Sequence, residues 1–152
     1  MRYIEPAPER LEIYLQAGIH TFIDLTEAHE LPHYADQLSE LGMHHGSRTA
    51  HHRYGIVDRS VPESRAQMVL ILDLIDEELE SNRNVCVHCW GGVGRTGTVV
   101  GCHLVRHGMT GDEALSRIEK WWAKMEKRLR LPRSPETEEQ RRFVSEWREH
   151  DI

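Results

Sequence analysis

One segment, NVCVHCWGGVGRTG at residues 84–97, limits the possible folds more than any other part of the sequence. Its first five residues form a short apolar run that predicts a buried strand, and an apolar helical pattern follows and ends at Gly108. Glycines at positions 91, 92 and 94 let the connecting backbone curl with its N–H groups pointing inward. With the positive end of the following helix, such a loop suits a tetrahedral oxyanion. The segment therefore predicts a strand–loop–helix unit that binds an anion.

Strands and helices alternate along the rest of the chain, which is typical of α/β architecture. Apolar residues at helical spacing mark the helices, and short runs of β-branched and aromatic residues mark the strands. A chain of 152 residues fits one domain, with little room for a second. We therefore expect an α/β fold with a central, mostly parallel sheet flanked by helices, and residues 1–152 as a single domain. The predicted helices cover residues 8–19, 30–42, 62–80, 98–108, 110–125 and 135–150, and the predicted strands cover residues 20–26 and 84–88.

Three cysteines, Cys86, Cys89 and Cys102, are too few for a disulfide framework. The N-terminal residues MRYIEPAPERLEIYLQ are charged and lack the apolar core of a secretion signal, and no run of about 18 apolar residues predicts a transmembrane helix. Both observations predict reduced thiols in a cytoplasmic protein with no membrane partner. The formal net charge of −6, from 25 acidic and 19 basic residues, argues against a nucleic-acid partner.

Cys89 and Arg95 are the reactive candidates in the glycine loop. Cys89 stands at its start, where a positive field favours the thiolate, so we expect a nucleophile at neutral pH. Arg95 can fold back and hold two phosphate oxygens with its planar guanidinium. The Walker pattern of nucleotide-binding loops is missing, and no second ligand pair accompanies Cys86 and Cys89 as a zinc site requires. A thioredoxin-type C-x-x-C motif opens a helix, whereas Cys86 lies in the predicted strand.

The run HCWGGVGRTG resembles the H-C-x5-R-[ST] signature of the cysteine-dependent protein tyrosine phosphatases and dual-specificity phosphatases. Its Gly-Gly variant is similar to the loop of cyclin-dependent-kinase-associated phosphatases. The resemblance implies that Cys89 is the nucleophile, that Arg95 clamps the phosphate and that the Thr96 hydroxyl eases departure of the thiolate. It also implies that His88 orders the loop and does not act as the general base. The substrate-binding segment is then formed by Trp90, Gly91, Gly92, Val93, Gly94 and Arg95.

Asp58, in the run YGIVDRSVPES, is the candidate general acid. A leaving alkoxide or phenoxide needs a proton from a carboxylic acid in another segment. Asp58 resembles the acid of the family's acid loop, in which two residues and then V-P-E-S follow the Asp. The sequence departs upstream, since Ile56-Val57 stands where the tyrosine-specific members have Trp-Pro. Position alone favours a turn or helix-capping role for Asp58, whereas the V-P-E-S tail and the Cys–Arg loop favour the catalytic role.

Gln140 lies in a C-terminal run, ETEEQRRF at residues 136–143, that resembles the phosphatase pattern Q-T-x-x-Q-x-R-F. The resemblance implies that Gln140 positions the water that hydrolyses the phosphoenzyme, while Glu136 replaces the first glutamine of the pattern. A charged surface helix explains the same residues, so both interpretations stay open from the sequence alone.

Two histidine pairs, His44-His45 and His51-His52, are the remaining metal-ligand candidates. No carboxylate or cysteine joins them at ligand spacing. We therefore expect a solvated extended segment there and no metal site.

These features together predict a phosphate monoester hydrolase that needs no cofactor. As the resemblance implies, it acts through a phosphocysteine on phosphotyrosine, and further on phosphoserine and phosphothreonine, in a phosphorylated protein or a small phosphomonoester. One alternative is a phosphatase for a phosphoinositide or an RNA 5′-phosphate, although no lysine lies between Cys89 and Arg95 and the net charge is acidic. Another is a pseudophosphatase that only binds phosphorylated partners, although such proteins usually lose the Cys, the Arg or the Asp.

Overall fold

A computed structural model describes residues 8–149, whose regular elements are three strands, six α-helices and one short 3-10 helix. All three strands are parallel, which confirms the predicted α/β class. No helix within the described residues is long and apolar enough to cross a membrane. The strands are β1 (Ile19–Asp24), β2 (Ala50–Arg53) and β3 (Asn84–His88), and the helices are α1 (Pro8–Gln16), α2 (Ala35–His44), α3 (Arg65–Glu80), α4 (Gly94–Arg106), α5 (Gly111–Trp122), the 3-10 helix Glu126–Leu129 and α6 (Glu138–Ser145).

The sheet has the strand order β2-β1-β3. Parallel neighbours need long crossover connections, and α2 and α3 supply them. The register pairs Asp24, the last residue of β1, with Arg53 on one side and His88 on the other. The carboxyl ends of all three strands therefore lie at the same edge of the sheet, just before the predicted anion-binding loop.

The described contacts divide the chain into two units that alternate along the sequence. The first unit holds residues 1–55 and 73–91, and the second holds residues 56–72 and 92–152. The chain thus passes from the first unit to the second twice, once before the predicted acid loop and once inside the glycine loop. The expectation that residues 1–152 act as a single domain stays a prediction.

The core of the first unit forms where α1 and α2 pack with the sheet. Phe22 of β1 contacts the rings of Tyr14 and Tyr34 in edge-on geometry, with ring centroids 5.9 and 6.2 Å away. Edge-on pairs of this kind add to the stabilisation from apolar burial. Leucines from the two helices complete the buried cluster, namely Leu11, Leu15 and Leu38.

In the second unit, α4, α5 and α6 pack closely where two of them carry glycine. A Cβ on Gly111 would lie 2.4 Å from the Cα of Ser145, and a Cβ on Gly101 would lie 2.7 Å from the methyl groups of Val144. Both glycines therefore permit the close approach of α6 to its neighbours.

Several helix boundaries differ from the predicted ones. Helix α2 continues to His44 past Gly42, because Gly42 serves close packing against Thr49 and does not end the helix. Helix α6 begins at Glu138 rather than at residue 135, because Thr137 forms its capping box. The residues predicted to start that helix, Ser134 and Pro135, lie before it and pack against Gly97 of α4. Residue 150 of the predicted last helix lies outside the described residues.

An ion pair between the buried carboxylate of Glu78 and the exposed guanidinium of Arg83 supports the amino end of the sheet. Glu78 on α3 accepts hydrogen bonds from the Nε and Nη2 of Arg83, at 2.8 and 2.6 Å, and from the Thr21 hydroxyl at 2.5 Å. Glu78 is 7% exposed. The Arg83 hydrogen bonds outweigh burial and lower the pKa of Glu78 to about 2.

We predict that Glu78→Gln removes part of the pH dependence of folding stability. Since the pKa of Glu78 falls from 4.5 to about 2 on folding, its contribution is complete above pH 4.5 and is lost as the pH falls towards 2. The variant should lower the free energy of unfolding at neutral pH by about 1–3 kcal/mol, and this difference should shrink in acid. Urea titrations of both proteins between neutral and acidic pH measure the effect. Glu80→Gln, an exposed position on the same helix, is the control, and equal pH dependence of Glu78→Gln and the parent protein would contradict the assignment.

Candidate active site

Cys89 directly follows β3, at the carboxyl edge of the parallel sheet, and is 7% exposed. Trp90 and Gly91 come next and are partly buried. The first unit ends at Gly91, so it contains the candidate nucleophile and the first two residues of the predicted substrate-binding segment.

His88 holds the backbone of Cys89 through a defined tautomer. Its Nδ1 lies 3.3 Å from the carbonyl oxygen of Cys89, and its Nε2 lies 2.5 Å from the hydroxyl of Tyr34. A carbonyl oxygen can only accept, so Nδ1 carries the proton and Nε2 accepts from the tyrosine hydroxyl. Burial lowers the pKa of His88 and raises the pKa of Tyr34, which keeps both groups neutral for this arrangement. His88 is thereby hydrogen-bonded to the start of the loop, and its ordering role stays a prediction.

A buried carboxylate, Asp24, lies beside His88 in the sheet register and organises the same edge. Its Oδ1 accepts from the Thr26 backbone and hydroxyl at 2.9 and 2.6 Å, and its Oδ2 accepts from His51 at 3.1 Å and from Arg53 at 3.2 Å. Burial alone would raise the pKa of Asp24, but these hydrogen bonds hold it well below its usual range. The expectation that the His51 segment is solvated is wrong for His51, because its side chain is 13% exposed and bound to Asp24.

The other two cysteines differ from Cys89 in their setting. No disulfide joins any of the three cysteines, all of which lie within the described residues. Burial raises the pKa of Cys86 to about 11 and raises the pKa of Cys102 further. Both therefore stay protonated at neutral pH and serve as packing residues.

The second half of the loop turns sharply into α4. Gly92 has a φ of 71°, which few residues other than glycine adopt readily. The carbonyl of Val93 accepts a hydrogen bond of 2.6 Å from the Ser134 hydroxyl. Gly94 begins the helix, and a Cβ there would lie 2.8 Å from the amide of Gln140. The predicted phosphate-binding backbone is therefore fixed from outside by residues near the start of α6.

Arg95 brings the candidate acid and the candidate phosphate clamp together. It is 2% exposed in the first turn of α4. Its Nη1 donates to the carbonyl of Ile56 at 2.9 Å, and its Nη2 lies 3.2 Å from Oδ1 of Asp58. The side chain of Asp58 remains 63% exposed. A carboxyl group in this position can both approach a bound phosphate and exchange protons with water.

Thr96 and Gln140, the two remaining predicted site residues, also lie in the second unit. Thr96 is partly buried in the first turn of α4. Gln140 is fully buried, and its Oε1 accepts from the backbone N–H groups of Glu136 and Thr137 at 3.2 and 3.1 Å. Its Nε2 donates to the carbonyl of Ser60 at 2.9 Å. Gln140 thus caps α6 and contacts the acid loop, and its water-positioning role stays a prediction.

Sequence reasoning missed several supporting residues. Tyr34 hydrogen-bonds His88, Asp24 binds His51 and Arg53 on the neighbouring strand, and Ser134 donates to the loop carbonyl of Val93. One available signal was the polar residue at the end of each predicted strand, because the carboxyl ends of parallel strands form functional sites in open α/β sheets. The partner of His88 and the role of Ser134 depend on long-range packing and leave no local pattern.

Comparisons with known proteins show the family of this chain. Residues 1–109 match the Tc-R-P family, described as "Polymorphic toxin system, DSP-PTPase phosphatase". The "Tyrosine-protein phosphatase CDC14 homolog" of Schizosaccharomyces pombe is 37% identical over 62 residues, which make up 39% of this chain and 11% of that protein. The chain therefore spans only a small part of the length of this curated relative. The predicted dual-specificity phosphatase resemblance is confirmed.

Solved phosphatase structures share the fold. The crystal structure of Tk-PTP in its active form is 30% identical with a TM-score of 0.68 and covers 93% of this chain and 85% of its own. The kinase-associated phosphatase KAP, with its catalytic cysteine replaced by serine, is 20% identical with a TM-score of 0.70, over 94% of this chain and 76% of its own. PTPMT1 in complex with PI(5)P is 18% identical with a TM-score of 0.71, over 93% and 85%. The last two similarities show the fold alone.

We predict that His88 is neutral at pH 6.5 with its proton on Nδ1, because the Cys89 carbonyl requires a donor and burial lowers the pKa of His88 below that value. Nitrogen-15 NMR of the imidazole measures both properties.

Tyr34→Phe removes the donor to Nε2 of His88 and should lower the free energy of unfolding by about 1–3 kcal/mol. Tyr14→Phe, in the same aromatic cluster, is the control. A His88 protonated on Nε2 would contradict the assignment.

Proposed function

The chain belongs to the Tc-R-P family of DSP-PTPase phosphatases of polymorphic toxin systems, and we propose that it dephosphorylates phosphotyrosine, phosphoserine and phosphothreonine in proteins. Hydrolysis of phosphoesters by a cysteine phosphatase is the activity of this family and fold. The observation that carries the assignment of the site is the 3.2 Å contact between Arg95 and Asp58, since it joins the candidate acid to the candidate phosphate clamp.

In the first step, the Cys89 thiolate attacks phosphorus in line with the leaving oxygen. An S–P bond forms, the P–O bond to the leaving group breaks, and Asp58 gives its proton to the departing oxygen. Backbone N–H groups of the loop and the Arg95 guanidinium bind the equatorial oxygens, whose charge they stabilise in the transition state. The tight turn at Gly92 and the fixed start of α4 support such an arrangement of N–H groups.

In the second step, water attacks the phosphocysteine. Asp58, now ionised, takes a proton from this water, the S–P bond breaks, and the thiolate and inorganic phosphate are released. The Thr96 hydroxyl stabilises the departing thiolate by hydrogen bonding. Residues 1–152 act as one catalytic domain in this proposal. We place the activity in the cytoplasm, because a thiolate nucleophile survives in a reducing compartment.

Protein substrates are preferred over phosphoinositides in this proposal, because the loop carries no lysine between Cys89 and Arg95. Lysines at those positions would supply extra positive charge for a headgroup that carries several phosphates. The positive charge that this loop offers is concentrated in one guanidinium and the backbone N–H groups, which suits a single phosphate monoester.

We predict that the parent protein hydrolyses phosphotyrosine and phosphothreonine peptides faster than a soluble phosphoinositide, with and without a chelator. Cys89→Ser should abolish turnover of all three substrates, because an alcohol lacks the nucleophilicity of a thiolate. The release of inorganic phosphate, measured with each substrate in a separate assay, gives the rates. Cys86→Ser, which changes a thiol outside the proposed chemistry, is the matched control. Equal activity of Cys89→Ser and the parent protein, or a preference for the phosphoinositide, would contradict the proposal.

We predict that Asp58→Ala slows hydrolysis of substrates with poor leaving groups by about 10²–10⁴-fold, because their oxygen must be protonated as it departs. An aryl phosphate with a strongly acidic phenol should be much less affected. The kcat/KM values of alkyl and activated aryl phosphates, measured side by side, give the dependence on the leaving group. They exclude hydrolysis of the phosphocysteine, the later step in which Asp58 acts as the base for every substrate. Asp73→Ala, an acidic residue of α3, is the control. A uniform loss on all substrates would sink the assignment of Asp58 as the acid.

A further inference from the structure

The acid loop is a tight turn that needs support from outside. The N–H of Ser60 donates to the carbonyl of Val57 at 3.0 Å, which makes Asp58 and Arg59 the two central residues of the turn. Arg59 has a φ of 62°, in the left-handed region that glycine and asparagine adopt more readily. A non-glycine residue persists there when surrounding contacts hold it.

The start of α6 supplies three such contacts. The carboxylate of Glu136 accepts a hydrogen bond from Nη1 of Arg59. The hydroxyl of Thr137 donates to the backbone carbonyl of Arg59 at 3.4 Å. The amide of Gln140 donates to the carbonyl of Ser60 at 2.9 Å. We call Glu136, Thr137 and Gln140 the acid-loop clasp.

The clasp is itself held in one conformation. Thr137 and Gln140 form the reciprocal capping box of α6, in which the Thr137 hydroxyl accepts from the Gln140 N–H at 3.1 Å. The Gln140 amide oxygen accepts from the N–H groups of Thr137 and Glu136. The hydrogen bonds at the start of α6 thus hold each residue that contacts the turn, so the clasp can hold the turn in one position.

The clasp contacts Arg59 and Ser60, the two residues that follow Asp58 in the chain. Arg95 binds the other side of the loop through the carbonyl of Ile56 and the carboxylate of Asp58. The two sets of contacts therefore fix both flanks of the acid residue. Because a proton donor must be positioned to a fraction of an ångström, loss of one flank should affect proton transfer more than phosphate binding.

We propose that Glu136, Thr137 and Gln140 are positioning residues that set Asp58 for proton transfer to the leaving group. This proposal rests on the proposed function, which assigns Asp58 as the acid. Glu136 contributes through its ion pair with Arg59, in which the Arg59 side chain is 63% exposed and the Glu136 side chain is 18% exposed. Arg59→Met therefore tests the same contact from its exposed side. Gln140 contributes from a buried position and serves as the second test.

The experiment compares Glu136→Ala with the parent protein on two substrates, an alkyl phosphate and an activated aryl phosphate. We expect kcat/KM for the alkyl phosphate to fall about tenfold relative to the aryl phosphate, a part of the 10²–10⁴-fold contribution of a general acid. We use kcat/KM because kcat also includes hydrolysis of the phosphocysteine, which both substrates share and in which Asp58 acts as the base. The same substitution in an Asp58→Asn background should have no further effect, because both changes then act on one proton transfer. Arg59→Met, which removes the other partner of the same contact, should reproduce the result.

Glu119→Ala is the matched control. It removes an ion pair of 2.6 Å with Arg141, which lies on the same helix α6 but does not contact the acid loop. The ratio of the two rates should not change in this variant. If the circular dichroism spectrum and urea midpoint of Gln140→Met show a folded protein, this variant should lower the ratio of the alkyl phosphate rate to the aryl phosphate rate further. If Gln140→Met does not fold, Glu136→Ala still tests the proposal.

Equal losses on both substrates, or additive losses in the Asp58→Asn background, would overturn the clasp as a positioning device. If Asp58→Asn shows a leaving-group effect while Glu136→Ala and Arg59→Met do not change the ratio, the clasp fails and the acid assignment stands. If Asp58→Asn itself shows no leaving-group effect, the proposed acid is wrong and the clasp falls with it. The two failures are therefore distinguishable.

Discussion

The buried guanidinium of Arg95 is the constraint on which the second unit depends. A cation at the amino end of a helix is opposed by the helix dipole, and burial of a charge is costly unless its N–H groups are hydrogen-bonded. The structure meets both costs with the carbonyl of Ile56 and the carboxylate of Asp58, at 2.9 and 3.2 Å. The acid loop is therefore tied to α4 by the residue that is proposed to bind phosphate, while the left-handed Arg59 in the same turn is held by the start of α6.

The first unit meets a different requirement, the orientation of the loop start. Its parallel register places Asp24 beside His88, and the neutral His88 bridges Tyr34 and the carbonyl of Cys89. Hydrogen bonds within such a buried polar network stabilise its members, although the Nε of Arg53, whose Nη2 binds Asp24, has no hydrogen-bond partner among the described residues. Cys89 follows this network in the chain and leads into the glycine turn, so each of the two units supplies part of one sequence motif.

The sequence predicted the elements whose causes are local. The short apolar run predicted β3 at residues 84–88, where the structure has it. Thr110 and Glu113 have the spacing of a capping box, and they form this box at the start of α5. The start of α6 was wrong because Ser134 is a good capping residue by type, whereas packing uses its hydroxyl to hold the carbonyl of Val93. His51 looked like a surface residue because its partner Asp24 is 27 positions away in sequence. Nothing local marked Arg59 as a residue held by the start of α6, since both its conformation and its partners depend on tertiary contacts.

The central claim is that turnover passes through a covalent phosphate on Cys89. Rapid acid quenching of the enzyme during turnover, followed by mass spectrometry of its peptides, tests this claim most directly. The account predicts one added phosphoryl group on the peptide that contains Cys89. With an activated aryl phosphate as substrate, it predicts greater accumulation of this phosphocysteine in Asp58→Asn, because the substitution slows its hydrolysis. A phosphoryl group on another residue, or none on Cys89 in an enzyme that is turning over, would contradict it.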